Sequence, residues 1–150
     1  MKMLMYNSGG GLGDSIQLFD IITSLNKKFG EKNVYYLSSH ENHYEKALKD
    51  YNIKLENFDI NIKYFGFRLK HFFYTKTVLK NKFLKKFDLI IDLQSKLRNT
   101  LILKRIPHNN FYSSTFNFNL CSVKKNYVVS FLGLGCFSIL IEGLCARSTW

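Results

Sequence analysis

The apolar run at residues 87–93 (FDLIIDL) constrains the fold more than any other stretch of this sequence. A nearly continuous apolar run is typical of a strand that is buried on both faces, as the central strands of parallel sheets are. Parallel strands need crossover connections, and these are usually helices that cover the faces of the sheet. We therefore expect an α/β fold.

The rest of the chain alternates between strand-like and helix-like segments, as such a sheet requires. Further strands are predicted at residues 3–6, 34–37 and 53–60, and one more begins at 111–112. Helices are predicted over 16–30, 40–50, 66–84 and 95–106, with Gly30 and Pro107 as stop signals. The pattern predicts a Rossmann-like, doubly wound parallel sheet. In such sheets, ligands bind outside the carboxyl ends of the strands.

The positive charge of the chain is concentrated in one segment. The sequence has 22 Lys and Arg against 11 Asp and Glu, which gives a formal net charge of +11. Residues 62–105 contain twelve of the basic residues and only two acids. This excess indicates an anionic partner, which is a phosphorylated ligand, nucleic acid or a membrane surface. Because 46% of the residues are apolar, the chain can bury a core, which excludes a disordered or collagen-like protein.

Cysteine usage and the first residues bear on the compartment. The spacings of Cys121, Cys136 and Cys145 match neither a zinc site nor a redox motif, so a reducing compartment is the simplest interpretation. The first apolar run, at residues 3–6, is too short for the core of a signal peptide. The four histidines show no metal-ligand spacing. We therefore expect a cytoplasmic protein without a metal.

A glycine-rich loop (GGGLGD, residues 9–14) separates the first strand from the first helix. Glycines at this place let the backbone approach a ligand while helix N–H groups face it. The loop is not a dinucleotide-binding fingerprint, because the third glycine of that motif would fall at Asp14. It is not a Walker A loop either, because the lysine of that motif does not follow. Gly11, Gly13 and Asp14 are candidate site residues, and an ionised Asp14 can accept a proton from a sugar hydroxyl. Alternatively, Asp14 or Ser15 only caps the helix.

A second group of candidates follows the central strand. Asp92 ends the apolar run, and the amide of Gln94 can both donate to and accept from a ligand. Arg98 lies one turn into the next helix, where it can meet a phosphate. The alternatives are that Asp92 only stabilises the start of that helix, and that Arg98 belongs to a solvated basic face.

The third group lies in residues 63–74, where basic side chains alternate with aromatic rings. Lys63, Arg68 and Lys70 are the candidate binding residues. Such a segment suits single-stranded nucleic acid, because bases stack on rings while cations meet phosphates. It equally suits the headgroups of anionic lipids.

Residues 127–146 differ from the rest, with a single charged residue, Glu142, and three glycines. The segment is long enough to span a bilayer, although a charge inside a lone span is costly. The other interpretations are a poorly packed terminal segment and a sequence that is not the native continuation. We therefore divide the chain into a Rossmann-like domain, residues 1–120, and an atypical apolar tail, residues 121–150, which we expect to be a truncated or frameshifted continuation.

Residues 2–115 resemble glycosyltransferase family 9, the ADP-heptose:lipopolysaccharide heptosyltransferases. The resemblance rests on a first strand that runs into Gly11-Leu12-Gly13-Asp14, on a fourth strand that ends in Asp92-Leu93-Gln94, and on the helix that follows as far as Arg105. It implies the acceptor-binding, N-terminal half of a GT-B enzyme with two Rossmann-like domains. Such an enzyme transfers a sugar with inversion from a nucleotide-sugar donor, such as ADP-heptose, to a lipopolysaccharide core acceptor.

The resemblance also implies roles for particular residues. Asp14 occupies the place of the family's catalytic base, while Lys63, Arg68 and Lys70 occupy a region that meets acceptor phosphates. It implies no metal and no nucleic acid, a phosphorylated glycolipid as partner, and peripheral contact with the inner face of the inner membrane. The nucleotide-sugar site is expected from a second domain, because residues after about 123 do not resemble the family. The alternative function is a non-catalytic basic module that binds nucleic acid or an anionic membrane.

Overall fold

A five-stranded parallel sheet forms the centre of the protein. The computed structural model describes residues 1–7, 11–38, 42–53, 56–57, 68–73, 86–93, 96–115 and 119–122. The strands are β1 (Met3–Asn7), β2 (Val34–Ser38), β3 (Glu56–Asn57), β4 (Phe87–Asp92) and β5 (His108–Ser113). Their order is β3-β2-β1-β4-β5, and every neighbouring pair is parallel. The predicted α/β architecture with a parallel sheet is confirmed.

Helices cover both faces of this sheet. They are α1 (Leu12–Gln17), α2 (Phe19–Phe29) and α3 (Leu97–Leu103), and residues 70–73 are also helical. Because side chains alternate along a strand, Met3 and Met5 of β1 pack with α2 on one face. Leu4 and Tyr6 pack with α3 on the other. β1 is therefore buried on both faces, as its apolar sequence predicts.

The observed helices differ from the predicted ones in their bounds. The helix predicted over 95–106 is shorter, Leu97–Leu103, and the described part of the one predicted over 66–84 is helical at 70–73. The helix predicted over 16–30 begins earlier and is divided at Leu18 into α1 and α2, and it ends at Gly30, whose φ of +85° favours glycine. The helix predicted over 40–50 is wrong for its described part. Residues 43–48 form turns that lead into a short 3₁₀ helix, Lys49–Tyr51. Among residues 42–51, only Tyr44 and Leu48 are buried in the core. Two buried side chains can be placed without a regular helix.

The carboxyl edge of the sheet is polar. Asn7, Ser38, Asp92 and Ser113 end their strands, and Asn7 is in register with Ser38 as Asp92 is with Ser113. The chain leaves β1 for β2 on one side, and β4 lies on the other side of β1. The order of the strands therefore reverses between β1 and β4, and ligands bind at such switch points in open α/β sheets.

The start of the predicted tail contacts the folded unit. Cys121 packs against the core, and the Ser122 hydroxyl lies within hydrogen-bond distance of the backbone of Phe111. Within the described part of the chain, no helix has the length and apolarity that crossing a membrane requires. The segment 127–146, and all of 123–150, lie outside the described residues.

Three buried tyrosines predict sensitivity to alkaline pH. Burial raises the pKa of Tyr36, Tyr44 and Tyr112 above the usual value for tyrosine. The unfolded chain loses these protons near pH 10 while the folded chain keeps them, so the free energy of unfolding should fall above pH 10. The slope is at most about 1.4 kcal/mol per pH unit for each tyrosine. Urea denaturation between pH 9 and pH 11 measures it.

Tyr44→Phe should make this pH dependence shallower, because it removes one of the three phenols that titrate. Tyr51→Phe is the matched control, since Tyr51 is 65% exposed. An equal slope in the wild type and in the Tyr44 variant would contradict the prediction.

Candidate functional site

Asp14 lies in the first turn of α1 and is exposed at the carboxyl edge. The N-cap of this helix is Gly11, in an extended conformation, so neither Asp14 nor Ser15 occupies the capping position. In the described structure, apart from its chain neighbours and the backbone of its own helix, no atom lies within 4 Å of a Cβ built on Gly13, so the space beside this residue is open. A carboxylate at a helix start, accessible to solvent and beside open space, can meet a bound hydroxyl.

Buried hydroxyls beneath α1 hold this turn in place. The Tyr44 hydroxyl donates to the Ser15 backbone oxygen at 2.6 Å, and Asn7 Nδ2 donates to the Tyr36 hydroxyl at 3.3 Å. The Tyr36 and Tyr44 rings meet edge to face with centroids 5.2 Å apart. Burial is the largest cause of the raised pKa of Tyr36, and the hydrogen bonds of this hydroxyl act in the opposite direction. The charge of Asp14 adds to the increase, so the carboxylate acts electrostatically on the Tyr36 hydroxyl.

Asp92, the second predicted carboxylate, is buried in a hydroxyl cluster. Its Oδ2 accepts a hydrogen bond from Thr100 Oγ1 at 2.6 Å and another from Ser113 Oγ at 2.9 Å. The Thr115 hydroxyl lies 2.7 Å from Thr100 Oγ1 and 2.9 Å from Ser113 Oγ. Asp92 therefore links the ends of β4 and β5 to α3.

All three hydroxyl protons of this cluster can be donated if the Asp92 carboxylate accepts two of them. Thr100 and Ser113 each have one hydroxyl proton, and both protons point to Asp92. The Thr115 hydroxyl can then donate to Thr100 Oγ1, so each of the three protons has an acceptor. With 1% exposure, Asp92 has the environment of a structural residue, which favours the interpretation that it stabilises the start of α3.

Charges from two basic stretches that are far apart in the sequence act on His71. Burial lowers the pKa of this imidazole, and the positive charges of Lys70, Arg68 and Arg98 lower it further. Arg68, Lys70 and Arg98 are themselves exposed. Of the remaining predicted site residues, Lys63 and Gln94 lie outside the described residues.

A contact of Arg105, which no sequence pattern indicated, joins the same two stretches. The Arg105 guanidinium lies 3.7 Å from the centroid of the Phe72 ring, and Phe72 packs against the core. The alternation of bases and rings in 63–74 could have suggested such a stacking contact, but not which arginine makes it.

The chain matches no model of a known protein family, no curated protein and no solved structure. Within the described ranges, no group of three or more His, Cys, Asp or Glu side chains is placed to hold a metal ion.

Proposed function

We propose that this chain is the acceptor-binding domain of a glycosyltransferase of family 9, in the N-terminal half of a GT-B enzyme. The observation that carries the proposal is the placement of Asp14. It is an exposed carboxylate in the first turn after β1, at the carboxyl edge where the strand order reverses. That is the position that the Gly-Asp motif of the resembled family occupies.

In this proposal, Asp14 is the general base of an inverting sugar transfer. The acceptor hydroxyl oxygen forms a bond to the anomeric carbon of the donor sugar from the face opposite the nucleotide. The bond from that carbon to the diphosphate oxygen breaks, and the nucleoside diphosphate leaves with the electron pair. Asp14 takes the hydroxyl proton as the new bond forms. The nucleotide-sugar donor, of which ADP-heptose is the candidate, would bind mainly to a second domain.

The basic cluster supports a phosphorylated acceptor such as lipopolysaccharide core. Arg98 lies in the first turn of α3, at the same edge of the sheet as α1, and its charge acts together with those of Arg68 and Lys70 on His71. Arginine pairs with phosphate through two parallel N–H donors, which makes the contact strong and directional. A cytoplasmic enzyme with this acceptor would work at the inner face of the membrane that contains the glycolipid.

Binding of a phosphorylated core oligosaccharide tests the acceptor proposal directly. Arg98→Ala should weaken binding by the full chain about tenfold in isothermal titration, since it removes one charge-assisted contact. Lys27→Ala is the matched control, because Lys27 is an exposed cation in the last turn of α2. Equal affinity for the phosphorylated and the dephosphorylated oligosaccharide would refute the proposed acceptor.

One observation supports a second candidate function, that of a non-catalytic basic module that binds an anionic membrane. Leu69 and Phe73 are exposed among the cations of 68–73. An acceptor sugar needs no such apolar side chains, whereas an anionic membrane surface favours them. Binding to anionic surfaces, together with equal affinity for the phosphorylated and the dephosphorylated core oligosaccharide, would support this candidate.

A further inference from the structure

The 68–73 segment presents apolar side chains on both of its sides. His71 and Phe72 face the protein, where His71 is buried and Phe72 packs against the core. Leu69 and Phe73 are 81% and 71% exposed, and their spacing of four residues places them on the same side of a helical turn. Two large side chains of this kind next to each other in water are costly unless something covers them.

Helix α3 also has exposed apolar side chains. Leu97 and Leu101, also four residues apart, are 40% and 44% exposed. The contact of Arg105 with Phe72 and its approach to Phe73, at 6.0 Å from that ring, join α3 to the 68–73 segment. We refer to Leu69, Phe73, Leu97 and Leu101, together with the exposed cations of 68–73 and α3, as the apolar–basic surface.

The charge of this surface has a single sign. Residues 68–73 and 96–107 contain six Lys and Arg and no Asp or Glu. Five of the cations are exposed: Arg68, Lys70, Lys96, Arg98 and Lys104. A surface that combines exposed leucines with cations and has no acid is complementary to a bilayer with anionic headgroups.

We infer that the apolar–basic surface docks the protein on an anionic lipid bilayer. Leu69, Phe73 and Leu101 enter the boundary between headgroups and acyl chains, while Lys96 and Lys104 meet the lipid phosphates. The inference rests on the proposal that the chain works at a membrane, but it does not depend on sugar transfer. A nucleic acid fits this surface less well, because three of its four apolar side chains are leucines, which cannot stack on bases as rings do.

Co-sedimentation of the full chain with vesicles tests the inference. We expect binding to vesicles of phosphatidylcholine and phosphatidylglycerol in equal parts, with weak binding to pure phosphatidylcholine and a decline as salt increases. The double variant Leu69→Ser/Phe73→Ser should bind at least about tenfold more weakly, because it removes most of the apolar insertion. Tyr51→Ser is the control, since it alters an equally exposed ring on the 3₁₀ helix outside this surface.

Each other outcome would overturn the inference. Equal binding to both vesicle types would remove the role of the cations, and unchanged binding of the folded double variant would remove the role of the apolar side chains. Tighter binding to single-stranded DNA than to the anionic vesicles would favour a nucleic-acid partner instead. Because the vesicles contain neither acceptor nor donor, their failure would leave core oligosaccharide binding intact, which separates this test from that of the proposed function.

Discussion

Asp14→Asn is expected to lower the rate of sugar transfer by about 10²- to 10⁴-fold, which is the usual contribution of a general base. The amide has nearly the same size as the carboxylate but cannot take a proton, so the acceptor hydroxyl would attack without assistance. Asp14 is exposed in the first turn of α1, and the fold should therefore remain intact. The measurement is kcat and KM for transfer from a nucleotide sugar to core oligosaccharide by this domain together with its donor-binding domain.

The chain offers a matched control in Asp20. It is an exposed acid in the first turn of α2, as Asp14 is in the first turn of α1. Asp20→Asn should leave kcat and KM unchanged. A loss for Asp14→Asn that appeared only in KM would make Asp14 a binding residue, and unchanged turnover would remove it from the mechanism.

Strands β1, β2 and β4 could be predicted closely from the sequence, whereas β5 begins at His108, three residues before the predicted start. Of the strand predicted over 53–60, the described residues 56–57 form β3 and Ile53 does not, and the helix predicted over 40–50 is wrong for its described part. The central strand β4 ends one residue before the predicted run, and β1 and β2 each extend one residue further than predicted. Apolar runs have this predictive value because strands buried on both faces tolerate few polar residues. Residues 40–50 show three- and four-residue spacing, but the tertiary structure requires only that Tyr44 and Leu48 reach the core.

The candidate site could be predicted only in part, because its partners are distant in the sequence. Asp14 was selected from its position after a glycine loop, which is local information. Whether the charge of Arg98 acts on the same imidazole as those of Arg68 and Lys70 depends on how α3 packs near the 68–73 segment. Sequence spacing contains no such information.

Two carboxylates at one edge of the sheet illustrate how environment separates their roles. Asp14 follows β1 and is exposed, whereas Asp92 ends β4 and is buried. From the sequence, both were acids next to a helix start, and each had a functional and a structural interpretation. The structure distinguishes them by the hydroxyls of Thr100 and Ser113, which surround one carboxylate and not the other among the described contacts. The distinction can be measured, because substitution of Asp14 should lower the rate of sugar transfer, whereas substitution of Asp92 should lower the free energy of unfolding.

Asp92→Ala should lower the free energy of unfolding by roughly 3 kcal/mol, a large loss for a domain of this size. It leaves the buried hydroxyls of Thr100 and Ser113 without the acceptor that both share. Asp92→Asn should cost less, because its amide oxygen can accept both bonds. Asp88→Ala is the control, since Asp88 is only half-buried and accepts hydrogen bonds from the Lys2 backbone and from Asn109. If Asp92→Ala kept full stability in urea but lost oligosaccharide binding, Asp92 would be a ligand-binding residue, and its hydroxyl cluster would serve to orient it for a substrate.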